Sequence, residues 1–462
     1  MPSEWATSGL DLHLDPAGSR LRAGLEQALR DAVQSGRLRP GARLPSSRAL
    51  ALDLGVARNT VANAYGQLVA EGWLTARQGS GTRVADGAAA VSPQRAASPP
   101  APRRVRYDLR PGSPDLAAFP RPAWIAAGRR ALNAAPSEAL GYSGPSGRTE
   151  LRRPLADHLA RTRGVRVTGE RLVICSGFAQ GFGLLCRVLR ARGARTLAVE
   201  EYCLPIHRDI AAAHGLSLRI LPVDGDGADT ANLGGADAVL LTPAHQFPLG
   251  VTLAAGRRRA AVEWAVATGG LVIEDDYDGE FRYDRQPVGA MQALAPEHVA
   301  YAGTASKTLA PGLRLGWLAL PEHLQADVVA AKARTDPQTG VLDQLTLAEF
   351  IVTGAYDRHI RRSRLTYRRR RDRLAAALAR RVPRAQITGI AAGLHALVEL
   401  PPGQEEHEVV ARAGRGGLAV EGLGAYAAGP DQHHGAALVV GYATPPAHAF
   451  TATVARLCVV LS

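Results

Sequence analysis

The sequence predicts a two-part protein: a small, mainly helical winged helix-turn-helix, then a large α/β domain that ends in a smaller α+β lobe. Three observations carry that expectation. Residues 85–106, ADGAAAVSPQRAASPPAPRRVR, are rich in alanine and proline and lack hydrophobic periodicity. Such a stretch buries too little apolar surface to offset its ordering entropy, so it reads as a flexible linker. Before it, residues 1–84 hold amphipathic helical patterns and a glycine-rich hairpin pattern. After it, residues 107–462 alternate apolar runs of strand length with helical ones.

In the small part, Leu21, Leu25, Leu29 and Val33 recur at four-residue steps and predict one apolar helical face between Ser19 and Ser35. In RLPSSRALALDLG, Pro45 and Ser46 mark a helix start and Gly55 its end. VARNTVANAYGQLVAEGWL predicts a third helix with Val61, Tyr65, Leu68 and Val69 turned inward. The two short extended segments of LTARQGSGTRV flank a glycine-rich turn and predict a hairpin, the wing. A helix closed by glycine, a short turn and a second amphipathic helix make the helix-turn-helix pattern.

In the large part the predicted strands are RLVIC, TLAVE, LSLRILPV, DAVLLTP, GLVIEDD, HVAYAGT and RLGWLAL. Helical segments between most of them imply βαβ units and a largely parallel sheet. From about residue 365 the pattern changes to a helix, YRRRRDRLAAALARRV, followed by short strands such as LHALVEL and AALVVGY. This predicts the smaller lobe.

Composition narrows the class. A net charge of +13 suggests a polyanionic partner, yet residues 1–85 hold ten arginines against seven acids, so most of the excess lies in the large domain. Its densest run, RRSRLTYRRRRDR at 361–373, reads as a solvated or salt-bridged helix face. Cys175, Cys186, Cys203 and Cys458 show neither paired nor zinc-binding spacing, and His433 and His434 lack a third ligand, so no metal site is expected. The thiol pattern fits a reducing, cytoplasmic location. The N-terminus lacks a signal-peptide core, and no apolar run approaches the roughly 20 residues that span a bilayer.

The chain has 55 basic residues, and only Lys307 and Lys332 are lysines. Lys307 follows HVAYAGT directly, beyond the carboxyl end of a predicted strand, where open parallel sheets place their ligands. A lysine in a partly dehydrated pocket loses its proton and forms a Schiff base with an aldehyde, which arginine cannot do. Pyridoxal 5'-phosphate carries an aldehyde, a pyridine nitrogen, a phenolic oxygen and a phosphate, so further partners are expected. IEDDYDGE puts Asp275 and Tyr277 on one side of an extended chain, for the ring nitrogen and the phenolic oxygen. Taken alone, that run also reads as a solvated acidic loop. For the phosphate, RLVICSGFAQG offers Gly177, Phe178 and Ala179 at a helix start, and Thr304, Ser306 and Arg314 flank the lysine.

With these residues in hand, the chain resembles the MocR regulators, a GntR-type winged helix-turn-helix fused to a fold-type I aminotransferase-like domain. The resemblance runs from about residue 20 to about 365. It rests on GARLPSSRALALDLGVARNTVANAYGQLVAEGWLTARQGSGT, YSGPSG, TPAHQFPLG, IEDDYDGEFRY and GTASKTLAPGLRLG. It implies that Lys307 binds pyridoxal phosphate, Asp275 its ring nitrogen, Tyr277 its phenolic oxygen and Arg314 its phosphate. It also implies a homodimer with sites at the subunit interface. Two departures stand out. The family's EDPGY is here EEYCLP, which puts Leu204 at the tyrosine position and Tyr202 two residues earlier. The arginine that grips a substrate carboxylate in such aminotransferases is missing from AALVVGYATPP.

In a winged helix the second helix of the motif enters the major groove by its first residues, here Arg58, Asn59 and Thr60. By resemblance to GntR heads, Arg43, Arg48 and the wing-tip residues Gln78 and Gly79 are further DNA contacts. The expected function is a transcription regulator that binds operator DNA and senses an amine, amino acid or vitamin B6 form through a Lys307 aldimine. The alternative is an active aminotransferase with an accessory DNA-binding head. The missing carboxylate grip favours the sensor over the enzyme.

Overall fold

The computed structural model describes residues 21–77, 81–86, 105–283, 288–429 and 435–462. Gln78, Gly79, His433, His434 and most of the 85–106 stretch lie outside the described residues. The chain divides into two compact units, Met1–Pro102 and Arg103–Ser462.

The first unit is a helix-turn-helix with a hairpin. Helix α1 (Leu21–Gln34) buries Leu25, Leu29 and Val33, as the four-residue spacing predicts. Helix α2 (Ser47–Leu54) starts where Ser46 accepts a hydrogen bond from the Ala49 N–H at 3.1 Å. It ends at Gly55, whose φ of +65° is costly for any residue with a Cβ. Helix α3 (Arg58–Ala70) buries Val61, Ala64, Tyr65 and Leu68, while Val69 is half-buried. The Tyr65 hydroxyl donates to the Pro45 carbonyl at 3.1 Å and ties α3 to the entry of α2. Strands β1 (Leu74–Arg77) and β2 (Gly81–Val84) pair antiparallel, with Leu74 opposite Val84 and Arg77 opposite Gly81.

The second unit is built on a seven-stranded sheet. Its strands are β3 (Leu172–Cys175), β4 (Thr196–Glu200), β5 (Ser217–Leu221), β6 (Ala238–Leu241), β7 (Leu271–Asp275), β8 (Val299–Thr304) and β9 (Gly316–Ala319), in the spatial order β3-β9-β8-β7-β6-β4-β5. All pairings are parallel except those of β9, which runs antiparallel to both neighbours. Each predicted strand is present. Both faces are covered, so Leu172 and Ile174 enter one core and Val173 and Cys175 another. The four cysteines are buried free thiols.

The small lobe carries a four-stranded antiparallel sheet of β10 (Gln386–Thr388), β11 (Ala396–Glu399), β12 (Glu421–Gly422) and β13 (Ala437–Val440), in the order β10-β11-β13-β12. It is reached through a helix that spans Ala355–Arg381 and so begins about ten residues before the predicted change of pattern. The arginine run on this helix is salt-bridged at one position, within the expected solvated or salt-bridged reading, although that position is buried. Arg370 is buried, pairs with Asp115 at 2.6 Å and donates to the Ala443 and Pro445 carbonyls. Its position every third or fourth residue from Ser363, Tyr367 and Leu374 puts it on the inward face. Among the described residues, no helix is long and apolar enough to cross a membrane.

Candidate functional site

A cleft of about 600 Å³ opens at the carboxyl ends of the parallel strands, the place the topology reserves for ligands. Thr304, the last residue of β8, and Ser306, Lys307 and Arg314 after it all line the cleft. Asp275 at the end of β7 and Tyr277 beyond it line the same cleft. Between them Asp276 points the other way, into a buried ion pair with Arg163 at 2.6 Å and a hydrogen bond from Tyr301 at 2.8 Å. Strand alternation thus separates one structural carboxylate from one that faces the ligand space.

The two lysines differ in their partners. Lys332 is fully buried and held by the Asp336 carbonyl at 2.9 Å and its carboxylate at 3.1 Å. Lys307 donates to the Gly112 carbonyl at 2.6 Å. Burial lowers the Lys307 pKa despite the opposing pull of Asp275 and Asp278, which favours the neutral, nucleophilic amine.

Asp275 is buried, and its Oδ1 has no hydrogen-bond partner in the protein. Burial raises its pKa well above the carboxylate range, against the opposing effect of Lys307. A cationic N–H donor in the cleft would relieve both costs, and a protonated pyridine nitrogen is such a donor.

The predicted phosphate cradle also comes together. Strand β3 ends at Cys175 and the helix Phe178–Ala191 begins three residues later, after Gly177 with φ +92°. Phe178 and Ala179 line the cleft at that helix start, and Gly177 lies directly beneath Arg314. The φ of +92° accounts for the glycine, and a Cβ there would also stand 3.1 Å from the Arg314 guanidinium. Arg314 is the one non-glycine residue with positive φ among the described residues, at +52°, and it donates to the Ser176 carbonyl. Thr304 donates to the Ser306 hydroxyl at 2.9 Å, so both hydroxyls face the same corner.

The walls also hold Gly112 and Phe247, which sequence reasoning did not single out. Gly112 receives Lys307 from a loop about 195 positions away in sequence, which no local motif announces. Phe178, Phe247 and Leu204 supply the apolar wall, and Tyr202 instead packs in a core with Leu423, Tyr426 and Ala437. Ala437 lies in AALVVGYATPP, the stretch that lacks a carboxylate-binding arginine. Among the described residues lining the cleft, Lys307 and Arg314 are the only lysine or arginine, whereas Glu200, Asp275 and Glu421 are acidic. Burial raises the Glu200 pKa to about 7 and lowers that of His207 to about 4.

On the first unit, Arg58 and Asn59 are exposed at the start of α3, where no side chain caps the helix. Arg48 is exposed in the first turn of α2, and Arg43 is exposed with its guanidinium beside Gly81 of the hairpin. Thr60 is half-buried.

Comparison with known proteins matches both units. Residues 21–84 match the bacterial regulatory proteins of the gntR family, and residues 108–421 match aminotransferase class I and II. The chain is 34% identical over 422 residues to the HTH-type pyridoxine biosynthesis transcriptional regulator PdxR of Corynebacterium glutamicum, covering 90% of this chain and 91% of that one. It is 32% identical to the probable rhizopine catabolism regulatory protein MocR of Rhizobium meliloti, over 77% of this chain and 76% of the relative. Among solved structures, the Pyrococcus horikoshii kynurenine aminotransferase in complex with PMP superimposes with a TM-score of 0.69. It is 26% identical, with 77% of this chain and 90% of that one covered. A GntR-type head joined to an aminotransferase class I and II unit, shared along most of its length with two such regulators, shows that the chain belongs to the MocR family of helix-turn-helix transcriptional regulators.

Proposed function

We propose that this regulator binds pyridoxal 5'-phosphate at Lys307 and uses the loaded cleft to sense an amine, an amino acid or a vitamin B6 form. The observation that carries the reading is the buried, unpartnered Asp275 Oδ1 in the same cleft as the Lys307 amine. Asp275 would hold the ring nitrogen, Tyr277 the phenolic oxygen, and Arg314, Thr304, Ser306 and the Gly177–Ala179 helix start the phosphate. When bound there, the group supplies an aldehyde carbon open to attack by a primary amine. Lys307 is the resident amine, and burial favours the neutral form that can attack. The name of the Corynebacterium relative, a regulator of pyridoxine biosynthesis, supports a B6 form as the signal.

DNA contacts are assigned to Arg43, Arg48, Arg58, Asn59, Thr60, Gln78 and Gly79, with α3 in the major groove. A homodimer is part of the reading. Leu116, Ile125, Leu132, Leu140 and Tyr142 are large apolar side chains left exposed within one short stretch, as a subunit interface would leave them. The cytoplasm is the compartment this function requires. A working aminotransferase is the second reading, favoured by the fold match and opposed by a cleft in which, among the described residues, the only lysine and arginine are Lys307 and Arg314, both already assigned to the cofactor.

Absorbance spectroscopy tests the proposal. Full-length protein mixed with pyridoxal phosphate is expected to develop a visible band that added amines change, and a protein with no such band would contradict it. Steady consumption of an amino donor with a keto acid would favour the enzyme.

A further inference from the structure

Tyr277 does not stand alone beside the cleft. Its hydroxyl lies 3.1 Å from Nδ1 of His245, and the same Nδ1 lies 2.9 Å from Oδ2 of Asp278. His245 and Asp278 are both buried. The small lobe closes over them with Gly393, where a Cβ would sit 2.2 Å from the His245 ring and 2.4 Å from Asp278 Oδ2. The Gly393 carbonyl accepts hydrogen bonds from Tyr442 and Tyr283, so the covering loop is itself held. His395, whose ring centre is 5.0 Å from that of His245, turns its Nε2 to the Pro248 carbonyl at 3.2 Å.

We propose that His245 and Asp278 form a positioning pair that directs the Tyr277 hydroxyl proton into the cleft. This inference rests on the reading that the cleft holds pyridoxal phosphate. The carboxylate of Asp278 only accepts, so its bond to His245 fixes the imidazole proton on Nδ1. An Nδ1 that carries a proton cannot accept one. The Tyr277 oxygen therefore receives a share of the Nδ1–H, and its own proton is left to donate elsewhere, toward the phenolic oxygen of the cofactor. When the cofactor is bound, a donor placed there would stabilise negative charge on its phenolic oxygen, and the visible band would titrate at lower pH than without that donor.

Other charged or titratable groups face this assembly from every side. They are Asp275 on the same loop, Glu200 from β4, Lys307 from the end of β8, Tyr283, and His395 and Tyr442 from the small lobe. A bare shift in one variant can therefore arise from charge alone, and the test uses a double-mutant cycle.

The visible band of full-length protein loaded with pyridoxal phosphate is titrated with pH in wild type, Asp278→Asn, Tyr277→Phe and the double variant. Asp278→Asn frees the imidazole proton to move to Nε2, so Tyr277 turns to His245, and the midpoint is expected to rise by roughly one pH unit. Tyr277→Phe is expected to raise it at least as far, and the double variant to match Tyr277→Phe. A wild-type midpoint in Asp278→Asn, or shifts that add in the double variant, would overturn the proposal. Should Asp278→Asn fail to fold, Asp278→Ala takes its place, and nitrogen-15 NMR of the cofactor-free wild type decides independently. A proton bound to His245 Nδ1 supports the pair, and one on Nε2 rejects it. No visible band in wild type would remove the cofactor reading instead, and the NMR result would still judge the pair.

Discussion

The two ends of the cleft differ in what they can hold. At what we term the inner end, Lys307, Asp275, Tyr277 and Arg314 converge from the end of β7 and the segment after β8, the proposed partners of the polar parts of pyridoxal phosphate. The rest of the lining, including Leu204, Phe247, Tyr426 and Glu421, makes up what we term the outer end, and among the described residues it adds no lysine or arginine. Catalysis on amino acids needs both ends, because the carboxylate must be gripped while the amine reacts. Sensing needs the inner end, plus a difference in ligand affinity between two states of the protein.

The largest expected effect comes from removing the inner end's nucleophile. Lys307→Ala should abolish the visible band on addition of pyridoxal phosphate, and a full band in that variant would erase the contrast. Asp275→Asn removes the charge that a ring N–H⁺ would meet, and should weaken cofactor binding roughly 10- to 100-fold, read by equilibrium dialysis. Arg58→Ala touches neither end. It should lower operator affinity by about 1–3 kcal/mol and leave the cofactor band unchanged. The pH dependence of cofactor capture sharpens the inner end further. The neutral amine reacts, and burial lowers the Lys307 pKa, so the capture rate should rise with pH and level off below 10.5, the ordinary value for lysine. A rate still climbing through that value would contradict the assignment. The smallest effect belongs to the outer end. An amino acid and the amine that lacks its carboxylate should differ in affinity by less than roughly threefold, since no charge-assisted bond distinguishes them.

Much of this was legible in the residues, where local rules decide local structure. Ser46 and Gly55 bracket α2 because a cap and a left-handed glycine are short-range devices. Asp275 and Tyr277 share a side because strands alternate, and the same rule sent Asp276 to Arg163. What depends on distant chain was not legible. Gly112 meets Lys307, His245 meets Asp278, and Arg370 meets Asp115 across separations of 33 to 255 residues. The run at 361–373 read as a solvated or salt-bridged face, but composition did not show that Arg370 is the position that turns inward to Phe450 and Asp115.

On the proposed reading, the Lys307 cleft serves to control DNA binding. This is tested most directly by measuring the affinity of full-length protein for a duplex selected from a random pool, with and without pyridoxal phosphate, in wild type and Lys307→Ala. The cofactor is expected to shift wild-type affinity at least about fivefold, the lower range of allosteric coupling, and to leave Lys307→Ala unmoved. Equal affinities with and without cofactor in wild type, alongside steady transamination, would contradict that reading.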